Sequence, residues 1–312
     1  MAATRSDSAV LQAAVRQRLE GRRFDVREFA FHALLIFALL ASISILFALL
    51  FDVVQGGIGV LAERGTGFLT SGISSFNAET AGVRQGLVGS GVMLVIVTLV
   101  AVPLGIAAAV YLEEYAPDTR FSRFITVNIR NLAGVPSIVY GLLGLALFVE
   151  LLRGFTGGKT MIAGGLTLSV LVLPIVIITA SEALRAVPAS IREAGYGVGA
   201  TRWEVIRHHV LPSAAPGILT GIVLSLARAL GETAPILLVG AVTGFLATGG
   251  ASLYQQLYDP FTTLPTIVYQ YAGLPSQGFR ANTSAAIIVL LALILSANAI
   301  AIYLRNRYER KW

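Results

Sequence analysis

Apolar residues run along this chain in six long blocks separated by short polar tracts. The blocks cover residues 29–51, the stretches between Arg84 and Glu113, between Arg130 and Glu150, and between Lys159 and Glu182, roughly residues 217–242, and the stretch between Arg280 and Arg305. Each is long enough to cross a bilayer as a helix, which takes about 20 apolar residues. Five are free of strong charge, whereas the 217–242 block contains Arg228 and Glu232. Hydrocarbon offers no partner to an open backbone group, and no alternating apolar–polar pattern of strands occurs, so helices are expected. The pattern predicts an all-α, polytopic membrane protein of six transmembrane helices over residues 29–304, with tails at 1–28 and 305–312. The first block is about twice as long as the apolar core of a signal peptide and follows a charged stretch, which predicts a retained membrane helix.

Composition agrees and removes other classes. Hydrophobic residues make up 55% of the 312 and charged residues only 13%, against about 25% charged in a soluble domain. With no cysteine and three histidines (His32, His208, His209), there is no disulfide framework, thiolate nucleophile or iron–sulfur cluster. No metal site and no catalytic set is expected, since neither a Ser/His pair, paired aspartates nor H-E-x-x-H lies within the spans. The net charge of +6 does not point to nucleic acid, because the basic residues sit in short tracts between apolar blocks. With six spans and the N-terminus inside, 17 of the 23 Lys and Arg fall on the cytoplasmic side and 5 on the outer side, with Arg228 inside a span. That bias predicts both termini in the cytoplasm.

The polar tracts are unequal. The outer ones, 52–84 and 245–280, are long and rich in Gly, Ser and Thr, and the inner 182–216 tract is longer than a chain reversal needs. Long connectors with their own pattern are more often functional than idle. Within 182–216, Pro188 and Ser190 mark a helix start with Glu193 placed as in a capping box. Ala194, Val198, Trp203 and Ile206 would form its apolar side. Composition alone makes this an interfacial amphipathic helix. The stretch GFTGGKT (154–160) mimics a phosphate-binding loop, but Arg153 occupies the position of the first glycine, so no nucleotide is expected on this chain.

Arg228 and Glu232 are the unusual residues inside a span. A charge at the bilayer centre costs about 2.5–3.5 kcal/mol, so it faces a partner or a polar pathway. Counted from residue 217, Arg228 lies roughly 17 Å into the membrane, and Glu232 four residues on shares its helix face. The two readings are a self-neutralising pair that pins the span to a neighbour, and a positive stop for an anion whose oxygens match the guanidinium fork. Gly134 and Pro136 mark a candidate helix break, Pro103, Pro174 and Pro235 kinks, and Gly217 with Gly221 a close helix contact.

The order of residues in 182–216 resembles the EAA loop of ABC importer permeases: E-A-A, three residues, G, nine residues, I, one residue, L-P. Glu193, Ala194, Gly199, Leu211 and Pro212 fall on it, while Gly195 replaces its second alanine and His209 its isoleucine. NLAGVPSIVYG (131–141) and ARALGETAPIL (227–237) resemble signatures of the permeases of phosphate-specific, Pst-type importers, the PstA type more than the PstC type. The resemblance implies a type I importer permease fold and a non-catalytic permease subunit moving inorganic phosphate across a prokaryotic cytoplasmic (inner) membrane by alternating access. It implies that Glu193, Ala194, Gly199, Leu211 and Pro212 couple to an ATPase, and that Arg228 and Glu232 belong to the substrate pathway. The implied partners are a PstC-like second permease, a PstB-like ATPase dimer that carries the ATP, a PstS-like extracytoplasmic binding protein and membrane lipid. This chain itself is expected to hold no cofactor. Two other functions fit the residues: a permease for molybdate, tungstate or sulfate, and an ion-coupled secondary transporter using Glu232.

Overall fold

The computed structural model describes residues 26–241 and 257–308, which are helical with no strand. Most of the N-terminal tail, the end of the C-terminal tail and part of the 245–280 tract lie outside the described residues. The elements are α1 (Val26–Arg64), α2 (Thr66–Thr70), α3 (Arg84–Tyr115), α4 (Arg120–Ala133), α5 (Ser137–Leu151), α6 (Arg153–Thr156), α7 (Met161–Arg185), α8 (Ala189–Gly197), α9 (Arg202–Gly231), α10 (Ala234–Val239), α11 (Leu264–Ala272) and α12 (Gln277–Tyr308). Of these, α1, α3, α7, α9 and α12 are each long and apolar enough to cross a membrane, and α4 with α5 makes a sixth, bent candidate.

The chain divides into two units at Asp52. In the first, the described side chains from Val26 to Asp52 are exposed except Ala41, a surface suited to hydrocarbon rather than water.

In the second unit, α7 is the central helix. Its Leu168, Leu171 and Val172 are buried with Met93, Val97 and Ala101 of α3 and Ala229 of α9. Two close approaches fix the register of α9. Gly217 lies so near Ala183 that an added Cβ would sit 2.7 Å from that methyl, and at Gly221 it would overlap the Thr179 hydroxyl. Gly217 and Gly221 therefore bring two backbones together, as small residues four apart do in membranes. The pairs 217/183 and 221/179 run antiparallel. Seven residues further along α9, Arg228 comes level with about Val172, the middle of α7.

The 130–150 block is not a single straight span. Its helix breaks at Gly134–Pro136, and α4 and α5 meet at 103°. Proline has no N–H to continue α4 and restricts the residue before it. The Tyr140 hydroxyl then donates 2.8 Å back to the Leu132 carbonyl, bracing the elbow. Arg130 lies in α4, so only Ser137–Leu151 runs lengthwise. The α4 helix is amphipathic, with Phe121 and Phe124 exposed on one side and Arg123 and Arg130 turned away from them by helical spacing, the pattern of a helix lying along a membrane surface.

At the end of the bundle where α3 starts, Phe68, Val83, Leu264, Ile267 and Tyr271 form a second buried cluster. Burial pushes the Tyr271 hydroxyl up to about 12, so it stays protonated and donates 2.7 Å to the Gly82 carbonyl. The phosphate-loop mimic belongs to an ordinary helix start: Thr160 caps α7 by accepting from the Ala163 N–H.

Candidate functional site

Two places in the bundle carry charge where apolar packing alone would not. The first is the interruption between α9 and α10. Helix α9 stops at Gly231, Glu232 turns to an extended conformation (φ −76°, ψ 127°), and α10 resumes at Ala234 with Pro235 in its first turn. The expected continuous span over 217–242 is therefore broken, because Pro235 cannot donate backward into α9, and Glu232 sits at the break rather than on a helix face. The pairing survives: Arg228 Nε donates 3.2 Å to Glu232 Oε1. Glu232 is largely enclosed while 43% of the Arg228 side chain is exposed. Its terminal Nη1 and Nη2 make no hydrogen bond among the described residues. The register against α7 puts this guanidinium edge at mid-depth, and interrupted backbone at that depth is stable only inside protein or beside a water-filled cavity. A small, mainly apolar cavity adjoins the break, lined by Ser90, Met93, Ala229 and Ile236 among others.

The second place is the far end of α3. Its last residues, Tyr111–Tyr115, wind as a π turn and hold the segment that follows α7. Glu113 accepts two bonds from Arg185, at 2.6 Å from Nε and 2.7 Å from Nη2. Glu114, only 5% exposed, accepts 2.7 Å from Nη2 of Arg192 in α8. Tyr115 has the Arg202 guanidinium over its ring, 5.0 Å from the centroid. Three consecutive residues thus grip the end of α7, α8 and the start of α9. Beneath them Ala109, Val110, Leu184, Val187, Val205, Ile206 and Val210 form a buried cluster. A further π turn at Ile206–Val210 joins the start of α9 to its apolar length, a local feature often found at functional sites.

Residues 101–310 match the family described as "Binding-protein-dependent transport system inner membrane component". The chain belongs to that family. It is 35% identical over 232 residues to a phosphate transport system permease protein PstA of Xylella fastidiosa, covering 73% of this chain and 77% of the relative. It is 32% identical over 279 residues to the probable ABC transporter permease protein YqgI of Bacillus subtilis, covering 84% and 91%. It is 36% identical over 224 residues to PstA 1 of Mycobacterium tuberculosis, covering 72% and 70%. Among solved structures, a bacterial importer of the acidic polysaccharide alginate matches with TM-score 0.59 at 15% identity, covering 91% of this chain and 97% of that one. The inward-facing methionine transporter MetNI matches with TM-score 0.54 at 20% identity, covering 73% and 95%. The fold is that of ABC importer permeases, and the chain is a multi-pass inner-membrane permease component.

Within this family fold, the five loop residues do not form one patch. Glu193 and Ala194 lie exposed on α8, Leu211 packs half-buried against the cluster below it, and Pro212 is exposed at the start of the apolar part of α9. Gly199 has φ +84°, the left-handed position that ends a helix and favours glycine. Both departures from the loop pattern have local reasons. A Cβ on Gly195 would lie 2.7 Å from Val205 Cγ2, so α8 packs there only without a side chain. His209 is exposed, so a polar ring replaces isoleucine without a burial cost.

Two expectations for this loop fail. Helix α8 starts at Ala189 with Pro188 before it, which puts Ser190 inside the helix, and the capping box forms instead between Thr201 and Glu204. The inward side is Gly195, Val205 and Ile206; Val198 is 83% exposed and Trp203 52%. Sequence reasoning also missed Glu113 and Glu114. Their signal was a doubled carboxylate closing an apolar block, with arginines 72 and 78 residues on.

Proposed function

We propose that this chain is the PstA-type membrane-spanning permease of an ATP-driven importer of inorganic phosphate. Its likeness to PstA relatives along most of its length supports the substrate class. The observation that carries the pathway is the Arg228 guanidinium at mid-depth, bonded to Glu232 through Nε while its two terminal nitrogens carry no bond among the described residues. That edge fits two phosphate oxygens at once. Glu232 keeps the site neutral when no anion is present, which reduces the cost of the charge in the membrane.

ATP is bound and hydrolysed on a separate PstB-like dimer. It docks on the exposed side of α8 and its flanks, where Glu193 and Ala194 sit beside the exposed apolar side chains Tyr196, Val198 and Trp203; exposed aromatics of this kind anchor interfaces. A PstC-like permease completes the pathway, and a PstS-like binding protein delivers phosphate at the opposite end, where α3 begins. This puts α8 and both termini in the cytoplasm. Gly199, Leu211 and Pro212 set the pose of α8 and its link to α9, and closure of the ATPases moves this segment and reorients the bundle. The test is uptake by the assembled importer in cells lacking other phosphate importers. Phosphate uptake that Glu193→Lys abolishes, together with reduced recovery of the ATPase, is expected. Uptake of molybdate or sulfate in place of phosphate overturns the substrate, and normal uptake by Glu193→Lys overturns the docking surface.

A further inference from the structure

We propose that Glu114 is the positioning residue that makes α8 move as one piece with α3 and α7. The proposal rests on the docking of an ATPase at α8. The residue next to Glu193 is Arg192, and all three nitrogens of its guanidinium are bonded. Nη2 donates 2.7 Å to Glu114 Oε1 and 2.9 Å to the Leu184 carbonyl, Nη1 donates 2.8 Å to the Val187 carbonyl, and Nε lies 3.2 Å from Oε1. One side chain of α8 is therefore tied to the carboxylate ending α3, to the Leu184 carbonyl in the last turn of α7 and to the Val187 carbonyl in the link to α8. The Glu114 carboxylate is enclosed and 78 residues away in sequence, so the contact joins elements that share no local backbone.

Other links at this end are weaker or differently placed. Glu113–Arg185 bridges α3 and α7 but does not reach α8, and half of its arginine is exposed. Arg202 over Tyr115 acts on α9. Helix α8 also packs through Ile191 on the buried cluster and through Gly195 on Val205, apolar contacts that carry no direction, whereas a forked charge-assisted bond fixes orientation as well as distance. A π turn closes at i→i+5 rather than i→i+4, so Glu113, Glu114 and Tyr115 fan over a narrower arc than in an α-helix, which suits three successive grips.

The readout is phosphate moved per ATP hydrolysed by the assembled importer in proteoliposomes, with binding protein and phosphate supplied. A purely structural role would lower the amount of complex recovered and leave this ratio unchanged. Glu114→Gln is expected to lower the ratio by about tenfold, within the usual range of coupling between sites, while ATP hydrolysis continues. Arg192→Lys keeps the charge but cannot span the carboxylate and both carbonyls, and is expected to lower the ratio in the same direction. Asp118→Asn removes a fully exposed pair with Arg123 and is expected to leave the ratio at the wild-type value. Assembled Glu114→Gln at the wild-type ratio overturns the proposal. If Glu114→Gln does not assemble, Arg192→Lys at the wild-type ratio overturns it equally. A wild-type complex that retains no ATPase overturns the docking reading itself, which separates the two failures.

Discussion

Replacing Gly221 by alanine tests whether the contact between α7 and α9 sets the depth of Arg228. A Cβ at residue 221 would overlap Thr179 Oγ1 and Cβ, whereas ordinary contact begins at 3.4 Å. The α9 backbone must retreat by about 1 Å, and overpacking of this kind costs about 1–3 kcal/mol. Alanine returns about 1 kcal/mol over glycine as a helix former. The balance is a net loss of up to about 2 kcal/mol. Gly91 in α3 is the internal control, since nothing lies within 4 Å of its added Cβ; Gly91→Ala should therefore gain up to about 1 kcal/mol from helix preference. The assay is unfolding of the purified chain in mixed micelles with rising SDS, followed by tryptophan fluorescence. Gly221→Ala is expected to be less stable than Gly91→Ala by the overpacking cost, about 1–3 kcal/mol. Gly221→Ala as stable as Gly91→Ala would refute the close contact and the register built on it.

Two further outcomes follow from the geometry. Gly199→Ala meets no neighbour but must hold φ +84°, so it should cost about 1–2 kcal/mol through backbone strain alone; Gly199→Asn should lose less because asparagine tolerates that conformation, and equal losses in the same unfolding assay would argue against strain as the cause. The native chain has no cysteine, so Ser71→Cys and Thr201→Cys, at opposite ends of the bundle, should differ in labelling by an impermeant reagent added outside, with only Ser71→Cys reacting; labelling of Thr201→Cys from outside would overturn the orientation.

Hydropathy alone located the spans, because burying or immersing about 20 apolar side chains is a strong, non-directional demand on any sequence. It located α3, α7 and α12 well and the start of α1, but α1 runs on to Arg64 through residues expected to be a loop. Average hydropathy hides the interruptions at Gly134–Pro136 and Glu232–Thr233; the residues themselves marked the first as a break but not the second. The prolines carried the signal, but proline is also common in unbroken membrane helices. Spacing identified Gly217 and Gly221 as a contact and Arg228 with Glu232 as a pair. It could not reveal which side of α8 is buried, because that depends on Val205 filling the place beside Gly195. Nor could it reveal Glu114–Arg192, since a pair that distant in sequence has no local pattern.

The most direct measurement of the central claim is phosphate uptake by Arg228→Gln/Glu232→Gln, normalised to assembled complex, in cells lacking other phosphate importers. Neutralising both residues removes the uncompensated charge that either single change leaves in the membrane. The double variant should be stable and fully assembled and still fail to take up phosphate, with Arg228→Lys retaining part of the activity because a point charge attracts the anion without the forked geometry. Wild-type uptake by the double variant would contradict the account and make the pair a structural pin.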